Sequence, residues 1–160
     1  MTTNVAIASS LESAYQRAFE DYWHDVFRFA LAWTNDWAAA EDIAQESYLR
    51  LWNHRTRIDW DRPLRAWLLV TARRLATDRF RALRRRGPTA LRSEWNDEAV
   101  MARWLDVQRA MGTLSPLERS ALVLTAIEGL SYADAALILS TSAGALRAAV
   151  SRARDKLEVA

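Results

Sequence analysis

Apolar residues recur along this chain mostly at steps of three and four, the period of one helix face. Over about 13–33, Tyr15, Phe19, Tyr22, Trp23, Val26, Phe29, Ala30 and Trp33 form such a stripe, and residues 1–10 read as a frayed start. Asn35 and Asp36 then supply turn and N-cap chemistry for a helix over about 36–55. Ala40, Ile43, Ala44, Tyr48, Leu51 and Trp52 make its inward stripe. A second stripe, Asp42, Gln45, Glu46, Leu49 and Asn53, is polar except for Leu49. Leu49 is therefore expected at the surface, either as a lone exposed leucine or as part of a partner-binding face.

Ile58-Asp59-Trp60-Asp61 reads as a loop, with Trp60 exposed, and Pro63 suits the first turn of a long helix over 63–86. Leu64, Trp67, Leu68, Ala72 and Leu75 are its expected core residues. Gly87-Pro88 stops that helix, and 87–96 is the best linker. A second helical unit starts near 97, with Val100, Trp104, Val107 and Met111 as a stripe. Ser115-Pro116-Leu117-Glu118 is a capping box with proline in the first turn. Leu122, Val123, Ala126 and Ile127 fill the next helix, which Gly129 closes. A short helix with Ala135, Ala136, Ile138 and Leu139 inward follows, then a turn at 140–142, then a last helix over 143–158 capped by Ser142. The pattern predicts an all-α chain of two small helical domains, 1–86 and 97–160, joined by the linker, the second ending in a helix-turn-helix.

Composition narrows the chemistry. The 160 residues contain no cysteine, so disulfides, thiolate metal sites and cysteine nucleophiles are excluded. Two histidines, His24 and His54, are too few for a histidine-rich metal site, and neither has an acid/base partner in the pattern. Asp59 and Asp61 share a loop without a metal or acid/base companion, and no glycine-rich phosphate loop occurs. No basic start leads into an apolar run, so a signal peptide is not expected. The longest late uncharged stretch, 135–146, is 12 residues, too short to span a bilayer.

The net charge of +2 conceals a strong asymmetry. Residues 1–49 carry 2 basic and 8 acidic side chains (net −6), 50–92 carry 13 and 3 (net +10), and 93–160 carry 7 and 9 (net −2). Concentrated positive charge suits a polyanion, most simply nucleic acid. Seven arginines between 73 and 86 exceed what a helix dipole needs. With Trp60, Trp67 and Phe80 nearby, they fit a surface where aromatics stack on unpaired bases; Trp67, on the inward stripe, fits core packing equally. In the last helix, Leu146, Val150, Ala153 and Leu157 face inward and Arg147, Ser151 and Arg154 lie opposite, with Arg152 beside them. The spacing fits a recognition helix in a major groove or an ordinary helical hairpin.

Four stretches carry a family resemblance. Ala39-Ala40-Glu41-Asp42-Ile43-Ala44-Gln45-Glu46-Ser47-Tyr48-Leu49-Arg50-Leu51-Trp52 resembles the core-polymerase-binding stretch of bacterial sigma factors. Pro63-Leu64-Arg65-Ala66-Trp67-Leu68, with Ala72-Arg73, Asp78-Arg79 and the arginine run, resembles the adjoining promoter-melting helix. Leu114-Ser115-Pro116-Leu117-Glu118-Arg119 through Glu128 to Ala136 resembles the start of the second sigma domain, and Ala145-Leu146-Arg147 through Leu157 its recognition helix. In this order, over about 13–158, they resemble the extracytoplasmic-function (ECF) group of the sigma-70 family.

The resemblance implies roles. Asp42, Gln45, Glu46 and Leu49 would dock on the clamp helices of the polymerase β′ subunit. Trp60, Arg73, Arg74, Asp78 and Arg81 would serve the unpaired −10 element. Ser142, Arg147, Ser151, Arg152 and Arg154 would serve the −35 element, with Arg147 on a base edge and Arg152 and Arg154 on phosphates. The linker would lie near nascent RNA. The implied partners are core RNA polymerase, promoter DNA and an anti-sigma factor, with no cofactor, metal, membrane insertion or small-molecule substrate. The implied protein is cytoplasmic and not an enzyme. Two departures stand out: Arg74 occupies a position where the family usually has asparagine, and Ala148 and Ala149 replace the usual Ser, Arg or Lys. Base choice at −10 is expected to differ, and −35 binding to be weak or to rest on thymine-methyl contacts. A sigma-like decoy for an anti-sigma factor, or a stand-alone helix-turn-helix regulator, are the alternatives.

Overall fold

A computed structural model describes residues 2–84 and 106–159. The N-terminal part holds three helices, α1 (Thr2–Thr34), α2 (Trp37–Asn53) and α3 (Arg65–Arg84). The later part holds α4 (106–112), α5 (Pro116–Leu122), a π-helical turn (Val123–Ile127), α6 (Tyr132–Ile138) and α7 (Ala143–Val159). No strand occurs among the described residues. No single described helix is long and apolar enough to cross a membrane.

Helix α1 is helical from Thr2, so the expected frayed start over 1–10 is corrected. Once a helix is nucleated, each added residue gains a hydrogen bond at little cost. Asn35 turns the chain at φ 52°, and the Asp36 carboxylate caps α2 by accepting from the Ala39 N–H at 2.9 Å. The α1–α3 core contains Val26, Phe29, Leu51, Leu68 and Leu69, all inaccessible to solvent. The Tyr48 hydroxyl crosses it to donate to the Ala18 carbonyl at 2.9 Å, and burial pushes its pKa up.

In the later part, the Ser115 hydroxyl accepts from the Glu118 N–H at 3.2 Å, and the Glu118 carboxylate accepts from the Ser115 N–H at 2.8 Å. The capping box is thus complete. Two core expectations are corrected here. The π turn inserts an extra residue into the helical period, so Val123 and Leu124 face inward while Ala126 and Ile127 are exposed. Val107 is also exposed, and its neighbour Gln108 is buried instead. The Gln108 amide donates to the Asn35 carbonyl at 2.8 Å, and the Asn35 amide returns the bond to the Gln108 carbonyl at 3.1 Å. Gly129, at φ 67°, ends the π turn in a conformation that glycine adopts freely.

One hydrophobic cluster runs from Ala18 through Leu69 to Val150, so the two parts pack together. Arg119, a buried guanidinium, donates to the carbonyls of Ala32 (2.5 Å) and Trp33 (2.9 Å) at the end of α1. It also donates to Met111 (3.1 Å) and Leu114 (2.7 Å) in its own unit. A second tie centres on Glu128, whose carboxylate lies 2.6 Å from Arg28 Nε and 2.6 Å from Arg65 Nη2. Both arginines also pair with Asp25, at 2.9 and 2.6 Å. Burial and the facing Glu128 raise the Asp25 pKa. Burial would raise Glu128 as well, but its hydrogen bond from Arg28 and the other groups around it prevail and lower it. The proposed boundaries at 86/87 and 96/97, and the linker itself, lie outside the described residues.

Candidate nucleic-acid and partner interfaces

The outward stripe of α2 is present as a face. Gln45 is exposed, and Leu49 is 56% exposed. Asp42 is exposed but pairs with Arg79 of α3 at 2.9 Å, and Glu46 pairs with Arg50 at 3.2 Å. Leu49 is not isolated. It lines a groove of about 760 Å³ between α1 and α2 with Tyr15, Phe19 and Trp52, rimmed by Glu12 and Glu20. Phe19, expected in the core, is 41% exposed in that groove while its ring still stacks on Trp23. The stripe at three-and-four spacing cannot say where a helix face leaves the core.

On α3, Arg74, Asp78 and Arg81 are exposed along one stripe. Arg73 is half-buried, and its Nε is enclosed without a hydrogen-bond partner. Arg79 is committed to Asp42. Arg85 and Arg86 lie outside the described residues, as does the side chain of Phe80.

Trp60 is corrected from exposed to half-buried, and it packs against the core. Its indole N–H donates to the Arg55 carbonyl at 2.8 Å. Arg55 in turn donates to the Trp52 carbonyl at 2.8 Å and lies 4.3 Å above the Trp52 ring. The polar residues around Trp60 suggested solvent, but the turn after α2 brings a free carbonyl to its indole. Trp67, by contrast, borders an open cleft of about 560 Å³ between α2 and α3, shared with Arg50, His54, Val70, Thr71 and Arg74.

In the helix-turn-helix, Ser142 caps α7 by accepting from the Ala145 N–H at 3.1 Å. Leu146, Ala149, Val150 and Ala153 are buried, and Arg147, Ala148, Ser151 and Arg154 are exposed. The Arg147 guanidinium sits 5.5 Å from the Tyr132 ring of α6. Arg152 is exposed, but its Nε pairs with Glu118 at 3.2 Å, and Lys156 joins at 2.8 Å. Burial pushes the Glu118 carboxyl up, but bonds from Lys156, the Ser115 amide and Arg152 outweigh it and hold its pKa at about 2. Arg119 and Glu128 escaped the sequence reading, and Glu118 was read only as a cap. Their ties across the molecule span 34 to 100 residues, beyond any local pattern. Among the described residues, no cluster could hold a metal ion.

A helix-turn-helix, a basic helix and a separate acidic face together suit contact with both nucleic acid and a protein partner. The sigma-70 region 2 family matches residues 18–86 and the sigma-70 region 4 family matches 104–157. A probable RNA polymerase sigma-C factor of Mycobacterium bovis is 33% identical over 95% of this chain and 88% of its own length. The sigma factor CnrH of Cupriavidus metallidurans is 33% identical over 73% of this chain and 70% of its own. The solved structure of CnrH with the cytosolic domain of CnrY matches 92% of this chain and 87% of that one, at TM-score 0.70 and 26% identity. The Bartonella quintana sigma factor RpoE, solved with the anti-sigma factor NepR, shares the fold at TM-score 0.72 and 23% identity. This chain belongs to the ECF sigma factors of the sigma-70 family, and its function is that of a sigma factor in transcription initiation.

Proposed function

We propose that the chain binds core RNA polymerase through the α2 face of Gln45, Glu46, Leu49 and Asp42, docking on the β′ clamp helices. The observation that carries this is Leu49, a large apolar side chain left in solvent within an acidic stripe. The stripe Arg74–Asp78–Arg81 on α3 then meets the −10 element, with Arg73 held behind it and Trp60 shaping the loop rather than stacking. Arg147, Ser151 and Arg154 on α7 meet the −35 element. Ser142 orients α7 as its cap, and Arg152 acts by fixing α7 to α5 through Glu118.

The −10 and −35 elements lie about 25 base pairs apart, or about 85 Å of duplex. A folded chain of this length has a radius of gyration of about 15 Å. The two units therefore separate at the Glu128 and Arg119 ties when both elements are engaged. The protein itself carries out no chemistry, acts in the cytoplasm where polymerase meets DNA, and is held in check by an anti-sigma factor, as one structural relative is solved with such a partner. A second reading, a decoy that binds an anti-sigma factor only, draws on Ala148, which faces solvent among the α7 arginines while Ala149 is buried. Run-off transcription with core polymerase separates them: promoter-dependent transcripts support the initiation reading, and the absence of both polymerase binding and transcripts supports the decoy.

A further inference from the structure

We propose that Tyr132 is a positioning residue for promoter reading: its ring holds the Arg147 guanidinium where it can meet a base edge. The inference rests on the −35 reading above and adds to it a residue outside the recognition helix. The Arg147 guanidinium lies over the Tyr132 ring, 5.5 Å from its centre, within reach of a cation–π attraction. Both sides of that contact are fixed by their own elements. Tyr132 opens α6 and is half-buried, packed against the hydrophobic cluster. Its backbone is held by the Ser131 cap, whose hydroxyl accepts from the Asp134 N–H at 3.0 Å. Helix α7, which carries Arg147, starts at the Ser142 cap and turns 97° from α6. The Thr141 N–H donates to the Ala136 carbonyl at 2.9 Å and fixes the turn between the two helices.

The kind of partner matters. Arg152 on the same helix is held by a carboxylate, Glu118, which takes its Nε–H and offsets its charge. Exposed Arg147 has no such partner among the described residues, and Asp134, the carboxylate of α6, is engaged by the Ser131 hydroxyl at 2.7 Å. An aromatic face attracts the cation through its quadrupole and accepts none of its N–H groups. All five donors of the planar fork stay free, including the pair that a guanine O6 and N7 accept. The ring also restricts a long side chain that would otherwise sample many rotamers in solvent, so less freedom is lost when the fork meets its base. Base reading needs that defined direction, whereas a phosphate contact carries no sequence information.

The test is selection of −35 sequences from a randomised pool by reconstituted holoenzyme, for the wild type, Arg147→Ala, Tyr132→Leu, Tyr132→Phe and the double variant of Arg147→Ala with Tyr132→Leu. Arg147→Ala identifies the base pair that Arg147 reads. Tyr132→Leu should lose about two- to fivefold discrimination at that base pair and leave the others unchanged. Tyr132→Phe keeps the ring and should keep the preference, and the double variant should be no worse than Arg147→Ala alone. Unaltered preference in Tyr132→Leu overturns the proposal. So does a loss spread over all positions, an equal loss in Tyr132→Phe, which assigns the effect to the hydroxyl, or a further loss in the double variant. If Tyr132→Leu does not fold, the Arg147 side-chain proton resonances of the wild-type chain decide: the ring current should shift them upfield, and unshifted resonances overturn the proposal. If Arg147→Ala keeps every preference, the −35 reading of Arg147 fails and the proposal with it; a position lost in Arg147→Ala and kept in Tyr132→Leu confines the failure to Tyr132.

Discussion

The two units of this sigma factor are stabilised in different ways. The N-terminal unit buries large apolar side chains, Phe29, Leu51, Leu68 and Leu69, and its charges stay mostly on the surface. The C-terminal unit has a smaller core, and beside its apolar side chains it buries Glu118, Arg119 and Ser120. Both units rest on apolar cores, the second including Leu124, Ile138, Leu139, Leu146 and Val150; the second adds buried charges, and Arg119 and Glu128 spend theirs on the other unit. A charge network is directional and titratable, whereas a core of leucines is neither. The C-terminal unit is therefore the one whose packing a single polar change can alter.

The sharpest way to probe the contrast is to remove one member from each side. Leu68→Ala should cost about 3–4 kcal/mol by leaving a cavity among α1, α2 and α3, read as a lowered urea midpoint. Its compactness in solution should be unchanged. Arg119→Met should cost about 2–3 kcal/mol, because the carbonyls of Ala32, Trp33 and Leu114 lose a charged donor. Unlike the leucine variant, it should raise the radius of gyration in small-angle scattering as the units part. Equal scattering from the two variants would remove the distinction.

A surface position should show neither behaviour. Leu49→Ala should change folding stability by less than about 0.5 kcal/mol. It should nevertheless weaken core-polymerase binding by about 1–2 kcal/mol in a fluorescence titration, as truncating an interface anchor does. Unchanged affinity would send Leu49 back to being an ordinary exposed leucine.

The smallest effect is in the acid response. Glu118, with a folded pKa of about 2, lies below the usual unfolded carboxylate value of about 4.3. Its contribution to stability is full above that unfolded value and drains away as the pH falls toward 2. Asp25 runs the other way: its pKa is raised, so protonation relieves repulsion from Glu128 at the interdomain tie. Stability measured from pH 6 to pH 2 should fall less steeply in Glu118→Gln than in the wild type. An identical acid slope would mean that Glu118 is not the group that titrates.

Local pattern carried much of the molecule. The helix order, the Asp36 and Ser142 caps, the Ser115–Glu118 box and the exposure of Leu49 follow from spacing and capping chemistry within a few residues. The α2 face and the opposed faces of α7 were legible for the same reason: a helix fixes which residues share a side. The π turn was not, since it shifts the period at Val123 without any breaker residue to announce it. Trp60 misled because composition suggested solvent while the indole found a carbonyl around a turn.

What the sequence by itself determined is the set of helices and the residues each one turns outward, because both depend on neighbours three or four positions away. Only the tertiary structure decided which charges are spent. Asp42 is shared with Arg79, Arg152 with Glu118, and Glu128 with Arg28 and Arg65. Those pairings join residues 34 to 100 positions apart. Partners that distant are selected by how packed helices bring side chains within about 4 Å, which no periodicity along the chain encodes.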